Sequence, residues 1–284
     1  MTASSYRNQL SHLIELALAE DLGDAGDMTA NLLLSSDRES RATIISKQDG
    51  ILFGLDVAKK VFEKVDSSFS FNADVNDGDR VSLKSRIAEI HGSAGAILKA
   101  ERTALNFLQR LSGIATLTAK YVQVVAGTKA KILDTRKTTP AHRFLEKMAV
   151  RAGGGFNHRF GLFDMVLIKE NHIEVAGSLG NAVAQIRSQL NEEKIQLKIE
   201  VETKSLSEVE EAASLGVDRI MLDNMSLDEM QESVQIVNGK IELEASGGVT
   251  LATVHSIAET GVDYISVGAL THSAPAFDLT LLFE

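Results

Sequence analysis

Strand-like segments begin at residues 198, 219, 241 and 263, at intervals of 21, 22 and 22 residues, and each is followed by a helical pattern. That interval holds one short strand, one helix and two tight loops, so it constrains the chain to a parallel sheet with crossover helices. Strand-like stretches at 131–136 and 164–169 extend the alternation upstream. Gly216-Val217-Asp218 and Gly261-Val262-Asp263 recur where a helix should end and a strand begin, and each glycine suits a left-handed helix cap. Periodicity alone leaves an open sheet and a barrel both possible, but a run of six such units closes more readily into a barrel.

Before residue 130 the pattern is different. Leu13, Ile14, Ala17 and Leu18 predict an amphipathic helix over 11–19, followed by a turn from Gly23 to Asp27. Short strands are expected at 41–46, 69–75, 80–83 and 86–90. From Ala96 onward Ile97, Ala100, Ala104, Leu108 and Leu111 share one helical face, and the domain change is expected inside that helix. The resulting division is a small α+β domain over 1–108, a barrel over 109–273, and a tail, 274–284, returning to the first domain.

Composition removes whole classes of chemistry. There is no cysteine, so disulfides, thiolate metal sites and a cysteine nucleophile are excluded together. A net charge of −10 opposes general binding to nucleic acid or anionic membrane, so any anion site must be local. Arg7, His12, Glu15 and Glu20 interrupt the first leucines, and no apolar run approaches the ~18 residues of a membrane span. A cytoplasmic enzyme is the expectation.

One segment runs against the overall charge. Residues 131–172 hold eight Lys or Arg against four acids. Pro140 and Gly153 frame a helix over 140–152, on which Arg143 and Lys147 are expected to be solvated. Arg136, Lys137, Arg159 and Lys169 lie off that helix. The carboxyl ends of the strands read Asp134-Thr135-Arg136-Lys137, Lys169-Glu170-Asn171-His172, Glu202, Asp223-Asn224, Ser246-Gly247-Gly248 and Gly268. In a barrel these ends converge on the face where active sites are built. Lys169 follows the apolar run Met165-Val166-Leu167-Ile168, so a counter-charge or ligand must meet it. The triple glycine 153–155, followed by Asn157-His158-Arg159, suits a loop that approaches a carboxylate or phosphate while Arg159 offers a planar fork. Ser246-Gly247-Gly248 can aim amides at a phosphate near a helix N-terminus, with Gly268 opening the equivalent turn one unit later. Glu202 and Asp223 read as single strand acids at equivalent depths, able to share Mg²⁺ or bind ribose hydroxyls.

These motifs, with Glu20-Asp21-Leu22-Gly23, Gly26-Asp27-Met28-Thr29 and Glu101-Arg102-Thr103-Ala104-Leu105-Asn106, resemble the quinolinate phosphoribosyltransferase family over essentially the whole chain. The resemblance implies an N-terminal open-faced α+β sandwich and an incomplete (β/α) barrel. It also implies a homodimer in which one subunit's first domain closes the other's barrel mouth. The implied reaction is phosphoribosyl transfer from 5-phosphoribosyl 1-diphosphate to quinolinate with decarboxylation, giving nicotinate mononucleotide, diphosphate and CO2. By the same resemblance Arg136, His158, Arg159 and Lys169 hold quinolinate, and Arg102 joins them across the interface. Lys137, Glu202, Asp223 and the loops of Ser246, Gly247, Gly248 and Gly268 serve the donor, with Glu202 and Asp223 on Mg²⁺. Lys137, Lys169, Glu202 and Asp223 form the expected catalytic group, and Lys169 or a water returns the proton after decarboxylation. Competing readings are a Schiff-base aldolase using Lys169, a non-catalytic dicarboxylate or nucleotide sensor, and a related phosphoribosyltransferase of altered specificity.

Overall fold

The computed structural model describes residues 3–34 and 38–284. The chain begins with α1 (Ala3–Leu22), α2 (Met28–Leu33), β1 (Glu39–Ser46), β2 (Gly50–Ile51), α3 (Leu55–Val65), β3 (Ser70–Ala73), β4 (Arg80–Val81), β5 (Arg86–Ser93) and α4 (Ala94–Val124). It continues through β6 (Lys131–Leu133), α5 (Arg143–Ala152), β7 (Val166–Ile168), α6 (Glu170–Ala176), α7 (Leu179–Glu192), β8 (Ile199–Thr203) and α8 (Leu206–Ser214). It ends with β9 (Arg219–Asp223), α9 (Leu227–Val237), β10 (Glu242–Ser246), α10 (Val254–Glu259), β11 (Tyr264–Ser266), α11 (Ala269–His272) and β12 (Leu279–Phe283). No helix among the described residues is long and apolar enough to cross a membrane.

The chain divides into two compact units. One holds the residues up to Ala119, with Thr139–Gly154 and Ala274–Glu284; the other holds Lys120–Thr138 and Gly155–Ser273. The boundary expected at 108 falls inside α4, whose apolar face continues through Leu111, Ile114 and Ala115, all at most 1% exposed. Residues 139–154, expected in the barrel domain, cluster with the first unit because α5 buries Phe144, Leu145, Ala149 and Val150 there.

In the first unit an antiparallel sheet of order β12-β1-β5-β3 lies beside a short β2-β4 ribbon. β12 pairs with β1 from Phe283 opposite Ala42 to Leu279 opposite Ser46. Asp27 caps α2 by accepting the N–H of Ala30 at 2.9 Å, which gives the Gly-Asp-Met-Thr run a structural purpose. α3 is absent from the sequence reading, although Val57, Ala58, Val61 and Phe62 place one apolar face inward. α5 starts at Arg143 rather than at Pro140, because Ala141 takes a left-handed φ of 64° that ends any helical run from the proline. Of the two residues expected to be solvated there, Arg143 is half-buried and Lys147 is buried. Lys147 is 4% exposed and Glu146 1%. The Glu146 carboxylate accepts from Arg110 Nη2 at 2.8 Å, from Thr139 Oγ1 at 2.8 Å and from Thr139 N–H at 3.1 Å, so its buried charge is compensated.

The second unit is a parallel sheet of order β6-β11-β10-β9-β8-β7. Its first strand pairs with its last while β6 and β7 do not pair, so the sheet curls round as a barrel open at one seam. Phe156 adds a single rung at that seam: its N–H donates to Ile132 O at 2.8 Å and its O accepts from Asp134 N–H at 3.1 Å. Both Gly-Val-Asp motifs act alike. Gly216 and Gly261 carry φ of 63° and 92°. Asp218 brackets Ile199, donating to its carbonyl at 2.9 Å and accepting its N–H at 2.7 Å, and Asp263 does the same to Leu243 at 2.9 Å each way. Strand alternation then sorts the residues. Val201, Ile220, Leu222, Leu243, Ala245 and Ile265 are buried on the outer face. Glu200, Glu202, Arg219, Met221, Asp223, Glu244, Ser246 and Ser266 point into the barrel, where they meet one another or line its cavity.

Candidate active site

The barrel interior opens at the carboxyl ends of the strands into a cavity of about 500 Å³. Arg136, Lys137, His158, Arg159, Lys169, Glu202, Asp223 and Ser246 all line it, although they span more than 100 positions of the chain. Thr135, Leu167, Met221 and Ser266 complete the wall; Thr135 belongs to the Asp134–Lys137 strand end and Leu167 to the apolar run before Lys169, while Met221 and Ser266 carry no signal that singles them out in the sequence. Arg102 is exposed on the part of α4 that belongs to the first unit and is not among the lining residues.

The glycines shape the wall. Lys137 runs its stem across Gly268, where an added Cβ would stand 3.1 Å from Lys137 Cδ. The main chain of Lys137 is fixed there by Thr271 Oγ1, which donates to its carbonyl at 2.8 Å. Gly247 has φ 97°, and a Cβ on it would fall 2.2 Å from Asn224 Oδ1; the Asn224 N–H donates to Ser246 O at 2.9 Å. The Asp223-Asn224 and Ser246-Gly247 turns are thus interlocked. Gly248 also has positive φ, at 60°. α10 begins at Val254, as expected, with residues 249–253 between the glycines and the helix. Gly268, at φ −62°, is the N-cap of α11 and not a copy of Gly247.

The acids sit differently from the expectation of equal depth. Glu202 is in register with Met221, and Asp223 with Ser246. Asp223 therefore stands one inward-facing step nearer the mouth than Glu202, because strands in a barrel are staggered and equal sequence spacing is not equal height. Glu202 is also not the only acid of its strand, since Glu200 faces the same way two residues earlier. Lys169 meets a counter-charge, forming an ion pair with Glu202, and Lys204 pairs with Glu170 beside it. Burial, and then the like charge of Arg136, push the Arg159 guanidinium below its ordinary pKa. An anion between the two arginines relieves that repulsion.

Beneath the cations lies a layer absent from the sequence reading. The His158 side chain is only 6% exposed, with Nε2 3.0 Å from Glu200 Oε2 and 3.4 Å from Glu244 Oε2. Both acids are fully buried. Glu244 also accepts from Ser266 Oγ at 2.5 Å and Arg219 Nη1 at 3.0 Å, and Arg219 reaches Glu242 at 3.1 Å. Burial and the neighbouring Glu244 carboxylate raise the Glu200 carboxyl to about 7. Burial lowers the His158 imidazole, but the two acids outweigh it and hold the ring at about 9. In the neutral ring Nδ1 accepts the Arg159 N–H at 2.7 Å, which places the ring proton on Nε2, facing the two acids. The signal was available: in Ile199-Glu200-Val201-Glu202 and Glu242-Leu243-Glu244-Ala245-Ser246 the acids recur at every second position.

The fold and this cavity define a barrel enzyme that gathers polyanionic small molecules among arginines, lysines and two acids. Residues 27–112 match the N-terminal domain, and residues 114–282 the C-terminal domain, of quinolinate phosphoribosyl transferase. The chain is 45% identical to quinolinate phosphoribosyltransferase (decarboxylating) 1b of Nicotiana tabacum, covering 97% of this chain and 82% of that protein. It is 43% identical to a probable nicotinate-nucleotide pyrophosphorylase (carboxylating) of Synechocystis, covering 93% and 89%. Among solved structures, the nicotinate-nucleotide pyrophosphorylase of Francisella tularensis superposes with a TM-score of 0.93 at 42% identity, covering 98% of this chain and 96% of that one. The chain belongs to the quinolinate phosphoribosyltransferase family.

Proposed function

We propose that this chain transfers the phosphoribosyl group of 5-phosphoribosyl 1-diphosphate to quinolinate and releases CO2, forming nicotinate mononucleotide for NAD synthesis. The observation that carries the proposal is the convergence of Arg136, Lys137, Arg159 and Lys169 on one cavity that also holds Glu202 and Asp223. Two adjacent carboxylates on a pyridine need closely spaced cations, and each charge-assisted hydrogen bond contributes about 1.5–3 kcal/mol. Arg136, Arg159 and Lys169 are assigned to the diacid; His158, expected to join them, lines the same cavity but has both ring nitrogens engaged by the Arg159 N–H and the acid pair. Lys137, Glu202, Asp223 and the loops of Ser246, Gly247, Gly248 and Gly268 are assigned to the donor.

In this reading the pyridine nitrogen attacks the anomeric carbon as its bond to diphosphate breaks. Glu202 or Asp223 stabilises the positive charge that develops on the sugar. The new pyridinium nitrogen then withdraws electrons from the neighbouring carbon. The bond to the 2-carboxylate breaks, CO2 leaves, and the electron pair remaining on the ring carbon takes a proton from Lys169 or from a water. Glu202 and Asp223 fit Mg²⁺, being hard oxygen donors on adjacent strands that face the same cavity. They would hold such an ion, which would supply positive charge to the donor's diphosphate. Lys169 is free to bind substrate only when its ion pair with Glu202 opens.

Arg102 faces solvent in a unit that does not contain the cavity, which supports a homodimer in which a neighbour's Arg102 completes the site. A cytoplasmic location is part of the same proposal; cell fractionation decides between it and the organellar sites named for relatives such as the chloroplastic enzyme of Arabidopsis thaliana. Quinolinate-dependent CO2 release, dependent also on the donor, is the test of the function. The parent chain is expected to release it, and inactive Arg102→Ala and Lys137→Ala chains, mixed and allowed to exchange, are expected to recover about a quarter of parent activity. A parent with no release contradicts the function, and a mixture as inactive as its components contradicts the shared site.

A further inference from the structure

The buried Glu200 and Glu244 do not line the cavity, and no step of the proposed reaction uses them. Removing a carboxylate from water is costly unless a partner compensates it. Glu244 has such partners in Ser266 and Arg219. Glu200 is different: among the described residues neither its oxygens nor the His158 Nε2 that stands 3.0 Å away meets good hydrogen-bond geometry, so the contact between them is one of charge. A cation site built from His158, Glu200 and Glu244 is disfavoured, since Arg219 Nη1 already holds the Glu244 oxygen that faces the imidazole.

The contacts of the imidazole lead upward. Its Nδ1 accepts the N–H of Arg159 at 2.7 Å. Asp134, at the end of β6 and fully buried, accepts the N–H of His158 at 2.9 Å and the amide of Asn157 at 2.5 Å. Arg159 Nη1 donates to Met165 O at 3.2 Å. Asn157-His158-Arg159 is thus a loop at the open seam of the barrel, held on one side by Asp134 and from below by the acid pair. It carries a guanidinium that must stay aimed into the cavity beside Arg136.

We propose that Glu200 and Glu244 are positioning residues for the acceptor, clamping the His158 ring by Nε2 so that the loop presents Arg159 at a fixed angle to the substrate's carboxylates. The proposal rests on the reading of the cavity as the quinolinate site. It assigns the acid pair to acceptor binding, not to donor binding or to the chemical step. Glu200 meets the loop bearing Arg159 through the imidazole, and Glu244 does so while also accepting from Ser266 on the cavity wall; the donor-side residues Lys137 and Gly268 are held by separate contacts.

The experiment compares steady-state kinetics of the full chain with those of Glu200→Ala, Glu200→Gln and Glu244→Gln, with folding checked by circular dichroism. In Glu200→Ala the KM for quinolinate is expected to rise about tenfold, with kcat and the KM for the donor within about threefold of the parent. Glu200→Gln retains an acceptor for the ring N–H and is expected to recover most of that loss, which a purely space-filling role would not separate from charge removal. Folded variants with an unchanged KM for quinolinate, or with both KM values raised alike, overturn the proposal, as does a fall confined to kcat. Should the variants not fold, the parent decides: with histidines labelled with ¹⁵N, His158 must show a protected, hydrogen-bonded Nε2–H at neutral pH, and a freely exchanging one overturns the clamp. A parent that neither turns over nor binds quinolinate overturns the assigned function and this inference with it. An active parent with unaffected variants removes only the inference.

Discussion

Arg159→Lys is expected to lower kcat/KM for quinolinate about a hundredfold while leaving the protein folded. The expectation follows from geometry and not from charge count, since the substitution keeps the positive charge. Arg159 lies beside Arg136 in a partly buried position where burial and like charge hold its guanidinium below its ordinary pKa. A planar fork can hold a carboxylate by two parallel bonds and still donate to Met165 O, whereas an ammonium offers a single point of charge. Loss of one or two charge-assisted hydrogen bonds, at about 1.5–3 kcal/mol each, corresponds to a factor of ten or more apiece. Kinetics of CO2 release against quinolinate concentration measure it. Because Arg159 is only partly buried and the substitution keeps its charge and most of its stem, circular dichroism and the melting temperature should stay near those of the parent. A variant with near-parent kcat/KM would show that the fork does not touch the substrate.

Lys137→Ala is expected to be the more severe change at the chemical step, lowering kcat at least about a hundredfold with the KM for quinolinate within about threefold. Lys137 belongs to the donor side, where its stem crosses Gly268 and its carbonyl is held by Thr271. Its side chain is exposed to the cavity, so truncation removes charge without opening a void in packed structure. The methylene contact also grades the effect. Gly268→Ala would bring a Cβ to 3.1 Å from Lys137 Cδ, displacing the stem without removing the ammonium, and a smaller loss should result. Saturation kinetics in both substrates separate these outcomes, and a Lys137→Ala chain with unaltered kcat removes the lysine from the reaction.

The barrel was legible because its constraints are local and repeat. Glycine caps at Gly216 and Gly261 and aspartates at 218 and 263 recur at fixed offsets, and hydrophobic alternation marks the strands between them. The cationic ring was legible for the same reason, once strand ends could be assumed to converge. What escaped depends on information that does not lie along the chain. The relative heights of Glu202 and Asp223 follow from strand stagger, which sequence spacing does not encode. Lys147 is buried where solvation was expected because helical periodicity does not show which face of α5 other segments cover; the Glu146 beside it is buried with its charge met by Arg110 and Thr139. The Glu200 and Glu244 layer is a partial exception. Alternating acids in a barrel strand must point inward, and an inward acid below the mouth must meet a cation; here the partners proved to be His158 and Arg219.

The central claim is that residues scattered from Arg136 to Asp223 form one pocket for a pyridine carrying two adjacent carboxylates. Calorimetric titration of the full chain with quinolinate and, separately, with nicotinic acid tests it most directly. Quinolinate should bind at one site per chain, and the acid lacking the second carboxylate at least about a hundredfold more weakly. Equal affinity for the two, or no heat with quinolinate, would contradict it.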